Sequence, residues 1–378
     1  MFSLIRRVAA MACMLLAGMA AVQAEPITVR DVLGREVTLP KPAERVVLTQ
    51  ARYLPVLSLI HPDPASVLAG WSNEFKTAFS NEYQDYLARF PALADVPEVA
   101  RHTPDTFSIE KALALRPDLL ILTSSFAGVP PGGDVTQSPL IKAFESAGVP
   151  VLVVDFFLDP LNNTVPSLRA LGQALGQSER AEAFIEFYES RMQRVRERVA
   201  QAQTEGKAPP NVLMHAHAGS TDCCNSPGFG TFNDLITFAG GHNIGSDTLK
   251  GPTGQLSIEY IVSRNPEVYV ATGTGVRRGG VHMGAGITPE QARESLDEVV
   301  GARGLSTLPA VRDGRAYGIW HAFNDSPLHM VFIEALAGWL DPERFADVSP
   351  QETLDIVNER FLAVPMRGTY LIKAGSDE

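Results

Sequence analysis

From Ser178 to about Gln203 the chain reads SERAEAFIEFYESRMQRVRERVAQAQ, with neither proline nor glycine. Ala181, Phe184, Ile185, Tyr188, Met192, Val195 and Val199 recur at spacings of three and four, which makes one apolar helical face. Ser178 reads as the N-cap and Glu179 suits the positive pole of the helix. The arginines from Arg191 to Arg198 suit the opposite pole. At 1.5 Å per residue such a helix runs roughly 40 Å, longer than most globular helices. The chain on either side reads as α/β, so this helix is expected to be a strut between two lobes.

The N-terminus predicts the compartment. Arg6 and Arg7 precede an apolar run from Val8 to Val22 that ends in the small-residue pattern Val22-Gln23-Ala24. Residues 1–24 are therefore read as a cleaved secretory signal. The run is too short for a transmembrane anchor, and Cys13 lies inside it, which argues against a lipoprotein. The expected product is soluble and periplasmic. The net charge of the full chain is −11, and loss of Arg6 and Arg7 makes it more negative, which excludes nucleic acid and anionic membrane surfaces as partners. Only Cys223 and Cys224 remain after cleavage, so no disulfide framework is expected.

The N-terminal part alternates along Glu25–Pro40 about Leu33-Gly34, a hairpin pattern. Short apolar runs follow at Arg45–Thr49, Val67–Ala69, Leu119–Leu122 and Val151–Val154. They are separated by helical patterns at Tyr53–Ile60, Glu82–Phe90, Ser108–Leu115 and Ser138–Ala147. Such alternation predicts a parallel sheet covered on both faces. After Gly206–Pro210, strands are expected at Asn211–Ala216, Val268–Ala271 and Ala316–Ile319, with helices at Thr231–Ala239, Leu328–Leu340 and Gln351–Phe361. The glycine-rich run Gly273–Gly286 reads as a mobile loop. An internal echo joins the halves: Ser108-Ile109-Glu110 with Pro117-Asp118 recurs as Ser257-Ile258-Glu259 with Pro266-Glu267. The expected division is a signal at 1–24, an N-terminal α/β lobe at 25–160, a linker-helix region at 161–205 and a C-terminal α/β lobe with terminal helices at 206–378.

Taken in order, VRDVLGREVTLPKPAERVV (29–47), SIEKALALRPDLLIL (108–122), AGVPVLVVD (147–155), the strut, FNDLITFAGGHNIG (232–245), LSIEYIVSRNPEVYVA (256–271) and VRDGRAYGIW (311–320) resemble a known family. It is that of the periplasmic solute-binding proteins of ABC importers for ferric siderophores, haem and cobalamin. The resemblance implies two doubly wound α/β lobes joined by one rigid helix, a ligand cleft between them, and a monomer that docks on an inner-membrane ABC permease. It also implies that an acidic residue on each lobe meets permease arginines; the matching positions are Glu110 and Asp234, the latter shorter than the family's usual glutamate.

In open α/β sheets, ligands sit beyond the carboxyl ends of the strands. That rule nominates Arg52, Tyr53, Trp71, Arg101, His102, Ser125, Phe126 and Phe157 from the first half. From the second half it nominates His215, His217, Arg277, Arg278, Trp320, His321 and Phe323. Arginine hydrogen-bonds carboxylate or catecholate oxygens and aromatic rings supply flat apolar area, which suits an Fe(III) chelate. A ferric siderophore is the leading ligand, with haem, cobalamin or a small metal chelate as alternatives; no cofactor of the protein's own is expected. His215, His217, Cys223 and Cys224 have the composition of a metal site without a known spacing. A packed histidine pair beside vicinal thiols or a vicinal disulfide is the other reading. A secreted Cys/His enzyme is the rival class, but there is no G-x-S-x-G elbow and no complete dinucleotide fingerprint, so no enzyme is expected.

Overall fold

The computed structural model describes residues 25–129, 133–220, 223–276 and 279–375. The proposed signal at 1–24, and Arg277 and Arg278, lie outside the described residues. Two five-stranded sheets form the centres of two lobes. In the first, the spatial order is Glu98–Ala100, Leu68–Ser72, Val46–Leu48, Leu119–Thr123, Val151–Val154, all parallel. In the second it is His242–Asn243, Asn211–His215, Val268–Gly273, Ala316–Trp320, Leu371–Lys373, with only the last strand antiparallel. Val46–Leu48, Leu119–Thr123 and Val268–Gly273 are buried along their whole length, as strands covered on both faces must be. Strand order reverses beside Val46–Leu48 in one lobe and beside Asn211–His215 in the other, so each lobe opens a crevice at those carboxyl ends.

The internal echo has a structural meaning. Ser108 caps the helix Ile109–Ala114 through the Lys111 amide, and Ser257 caps Ile258–Arg264 through the Tyr260 amide. Arg116 and Asn265, each just before the proline, take left-handed backbone (φ +50° and +48°). Asp118 then accepts the Glu44 and Arg45 amides, and Glu267 accepts the Asn211 amide. In each lobe the acid therefore fixes the entry of a central strand.

The strut is one helix, Ser178–Thr204. It packs on Pro160–Ala174 and Leu54–Ile60 of the first lobe and on His329–Leu340 and Thr231–Phe238 of the second. The approach to Pro160–Ala174 needs Gly172, where a Cβ would lie 2.4 Å from that of Ala181. The N-cap is Gln177 rather than Ser178, and it makes no side-chain cap bond. The reason is the preceding turn: the Gln177 amide is already bound to the Gly172 carbonyl as that helix closes, so Ser178 enters as the first helical residue. The arginines do not serve the helix pole either. Arg194 and Arg198 reach sideways to Glu334 and Asp347, in the segment between the strands Ala316–Trp320 and Leu371–Lys373 of the second sheet.

Other expectations change as well. Helices at Pro160–Ala174 and Pro289–Val300, and the strand Glu98–Ala100, are additional elements. The described residues of the run Gly273–Gly286 fold back on the lobe, with Val281, Met283 and Ala285 buried. Gly273 permits this, because a Cβ there would lie 2.0 Å from the Val281 carbonyl oxygen.

His329, at the first turn of His329–Leu340, is fully buried and shares a 2.7 Å hydrogen bond with the Tyr188 hydroxyl of the strut. Burial lowers its pKa to about 4. The unfolded chain therefore binds this proton more readily than the folded one between about pH 6.5 and 4. Stability is fully present above that window and falls through it by about 3 kcal/mol. Urea melts of the wild type and His329→Gln across these pH values should show the loss shrinking by about that amount in the variant.

Candidate functional site

The crevices of the two lobes meet in a cavity of about 370 Å³. Arg52, Phe79 and Phe157 line it from the first lobe, and His217, Asn225, Phe229, Phe232, His321 and Asp325 from the second. Arg52 sits in the turn after Val46–Leu48. Its Nη1 donates to Asp325 Oδ2 across the cleft at 3.0 Å, and its Nε and Nη2 donate to Glu74 at 3.3 and 3.2 Å. Glu74 is 0 % and Asp325 8 % exposed. One guanidinium thus stands between two buried carboxylates. Burial pushes Asp325 above the usual carboxylate range, and Arg52 only partly offsets it. Further interlobe bonds run from the Thr231 hydroxyl to the Phe157 carbonyl, from Asn81 Nδ2 to the Ala285 carbonyl (2.8 Å), and from the Ala285 amide to Glu82 (3.2 Å).

Opposite Arg52 lie two imidazoles. His217 and His321 are stacked with ring centroids 3.7 Å apart, and Phe232 meets His321 edge-on at 5.2 Å. Thr272 Oγ1 accepts the His217 amide at 2.9 Å and shares a 2.8 Å bond with His321 Nδ1. That hydroxyl orients one ring while fixing the backbone of the other. His217 has φ +50°, an unusual conformation outside glycine that the surrounding bonds must hold.

The residues nominated from the sequence fall in several different places. Arg52, Phe157, His217 and His321 line the cavity. Tyr53, Trp71, Phe126, Trp320 and Phe323 are buried. Tyr53 packs on Phe156, Trp71 on Phe75 and Tyr83, Phe126 on Phe107, and Trp320 on Phe79, Phe323 and Tyr370. Neighbouring side chains turn the first three of these rings and Phe323 into the core, whereas Trp320 meets Phe79 of the other lobe and lines a neighbouring cavity with Arg52 and Asp325. Ser125 is tied to Gln50 at 3.1 Å, and His102 to Thr77 at 3.2 Å on the exterior, beside an exposed Arg101. His215 is buried behind His217 and bonded to Tyr269. Cys223 and Cys224 form a vicinal disulfide. Glu110 is exposed on Ile109–Ala114, and Asp234 is half-buried in the first turn of Thr231–Phe238.

Sequence reasoning missed Glu74, Phe79, Phe229, Phe232 and Asp325. Asp325 was within reach of the carboxyl-end rule, since it closes the turn after Ala316–Trp320. Phe79 has no comparable signal.

A family model described as periplasmic binding protein matches residues 60–320. The vitamin B12-binding protein of Yersinia pestis (strain Pestoides F) is 27 % identical over 204 residues, 52 % of this chain and 65 % of that protein. The alignment thus spans just under two thirds of the length of that relative. The crystal structure of the TroA-like periplasmic binding protein FepB from Veillonella parvula is 28 % identical with a TM-score of 0.84, covering 93 % of this chain and 100 % of that one. A periplasmic heme binding protein from Pseudomonas aeruginosa shares the fold at 22 % identity and a TM-score of 0.55, over 89 % of this chain and 99 % of that one.

Proposed function

The chain belongs to the periplasmic binding protein family, and from that premise we propose that it captures a small metal complex in the interlobe cleft and passes it to an ABC permease. Family membership makes it a non-catalytic transport component with the two-lobed TroA-like fold. The observation that carries the ligand reading is the charge and donor balance of the cleft. Arg52 is outnumbered by Glu74 and Asp325, so the cluster that spans the cleft holds two carboxyl groups against one guanidinium rather than a free cation. A polyanionic ferric siderophore would meet repulsion there. The siderophore reading also loses Trp71, which lies in the core.

The same cleft offers apolar rings from Phe79, Phe157, Phe229 and Phe232, with His217 and His321 side by side. Imidazole is a common ligand for zinc, copper, iron and nickel. A neutral or cationic complex with an open coordination position would place its metal at the imidazoles and its organic face on the phenylalanines. About 370 Å³ lies near the lower end of ordinary ligand pockets, which favours a small chelate. The B12-binding relatives support a second reading, a corrinoid with cobalt in the same place. That ligand is larger and would require the Arg52–Asp325 contact to open. Glu110 and Asp234 are proposed to dock the two lobes on the permease.

The experiment is native mass spectrometry with visible absorption on the mature protein, offered nickel and cobalt histidine complexes, cobalamin, haem and a ferric catecholate. A histidine-chelated metal or cobalamin should be retained one to one. His321→Ala should weaken it by at least about 10–100-fold, since loss of even an outer-shell partner of a metal costs that much. Retention of the catecholate alone, indifferent to His217→Ala and His321→Ala, would overturn the proposal.

A further inference from the structure

His215, Cys223 and Cys224 form a cluster that the cleft chemistry leaves unused. One donor atom from each lies within 4.8 Å of the other two. His215 is 1 % exposed; its Nδ1 is 2.8 Å from the Tyr269 hydroxyl, and its buried Nε2 has no hydrogen-bond partner among the described residues. Leaving such a nitrogen unsatisfied is costly to the fold. With the phenol oxygen accepting, Nδ1 carries the proton and Nε2 presents its lone pair. This is the outer-sphere contact that metal-bound histidines usually make.

The cysteines are presented as well as placed. Cys224 is buried, and its backbone pairs in both directions with Leu256 at the start of Asn225–Pro227. Cys223 is exposed and gives the cluster an entry side. Two sulfurs and one imidazole make a soft donor set, suited to d10 cations rather than to magnesium or calcium.

We propose that, once a dithiol reductant has opened the Cys223–Cys224 disulfide, His215 and the two cysteines bind one thiophilic d10 cation of the zinc class. The dithiol supplies two electrons and two protons and becomes a disulfide, and the protein gains two thiols. The cation then takes both sulfurs as thiolates and releases two protons to solvent. The disulfide form has no thiolate to offer, so binding is gated by reduction.

The test is a cadmium titration of the mature protein without any cleft ligand. One sample keeps the disulfide; the other is reduced with dithiothreitol and stripped of it anaerobically. The readouts are thiolate-to-cadmium absorption and native mass. The reduced protein should bind one cadmium ion and the disulfide form none, and Cys223→Ser should lose the absorption band. His215→Gln should bind at least about 10–100-fold more weakly with the band retained, since loss of even an outer-shell partner costs that much. If His215→Gln does not fold, judged by circular dichroism, Tyr269→Phe decides, with a loss of about 10-fold expected. Two titratable thiols without a cadmium band, or unchanged affinity in the folded histidine or tyrosine variant, would overturn the site. Neither result touches the cleft reading, which depends on His217 and His321.

Discussion

Arg52→Ala should destabilise the protein by about 3–5 kcal/mol, whereas Asp325→Asn should change stability by no more than about 1 kcal/mol. The asymmetry comes from charge counting. The cluster holds one guanidinium and two carboxylates, both buried. Removing Arg52 leaves Glu74 and Asp325 facing each other without a counter-charge, and each loses charge-assisted hydrogen bonds. Removing the charge of Asp325 leaves a balanced Arg52–Glu74 pair and relieves a carboxyl that burial already holds above its ordinary range.

Urea denaturation of the two variants checks this directly. If Arg52 were only a waiting anion-binding group, Arg52→Ala would be close to neutral in stability and would act on ligand affinity alone. Equal losses in both variants would mean that the interlobe bond, rather than the charge balance, stabilises the closed cleft. Asp325→Asn also tests the ligand class. It removes the surplus negative charge, so anionic chelates should gain affinity relative to cationic ones.

The strut was legible because it is local information. Twenty-odd residues with helical periodicity and no breaker leave little freedom, and the observed Ser178–Thr204 differs by one residue from the expected span. The echo was legible for the same reason, since its cap, left-handed residue and proline lie close together in sequence. The cleft was only half legible. Strand-end reasoning reached Arg52, Phe157, His217 and His321 because it locates the right loops. It also nominated Trp71 and Phe126 because it says nothing of side-chain direction, which Phe75, Tyr83 and Phe107 decide by packing. The charge balance was out of reach. Arg52 looks like an anion receptor until Asp325, 273 positions away, is seen to share it.

The second large effect lies at the join of strut and second lobe, where Arg194→Ala should cost about 3 kcal/mol near neutral pH and less in acid. Arg194 Nη2 donates to Glu334 at 2.6 Å, and Glu334 is 1 % exposed inside the helix His329–Leu340. Burial raises the Glu334 carboxyl above its usual range, with Arg194 among the groups that counter it. Without Arg194 the folded-state pKa rises further, so folding takes up a proton at pH values where the unfolded carboxyl is ionised. A raised folded-state pKa favours the folded state at low pH and loses that advantage as pH rises. The deficit of Arg194→Ala should therefore be largest above neutrality and shrink as pH falls toward about 4.3, the unfolded glutamate value. The double variant Arg194→Met/Glu334→Leu should recover most of the loss, because apolar side chains of similar volume avoid the desolvation cost altogether. Melts at several pH values separate this account from simple loss of packing, for which the deficit would be independent of pH and the double variant would be worse than the single.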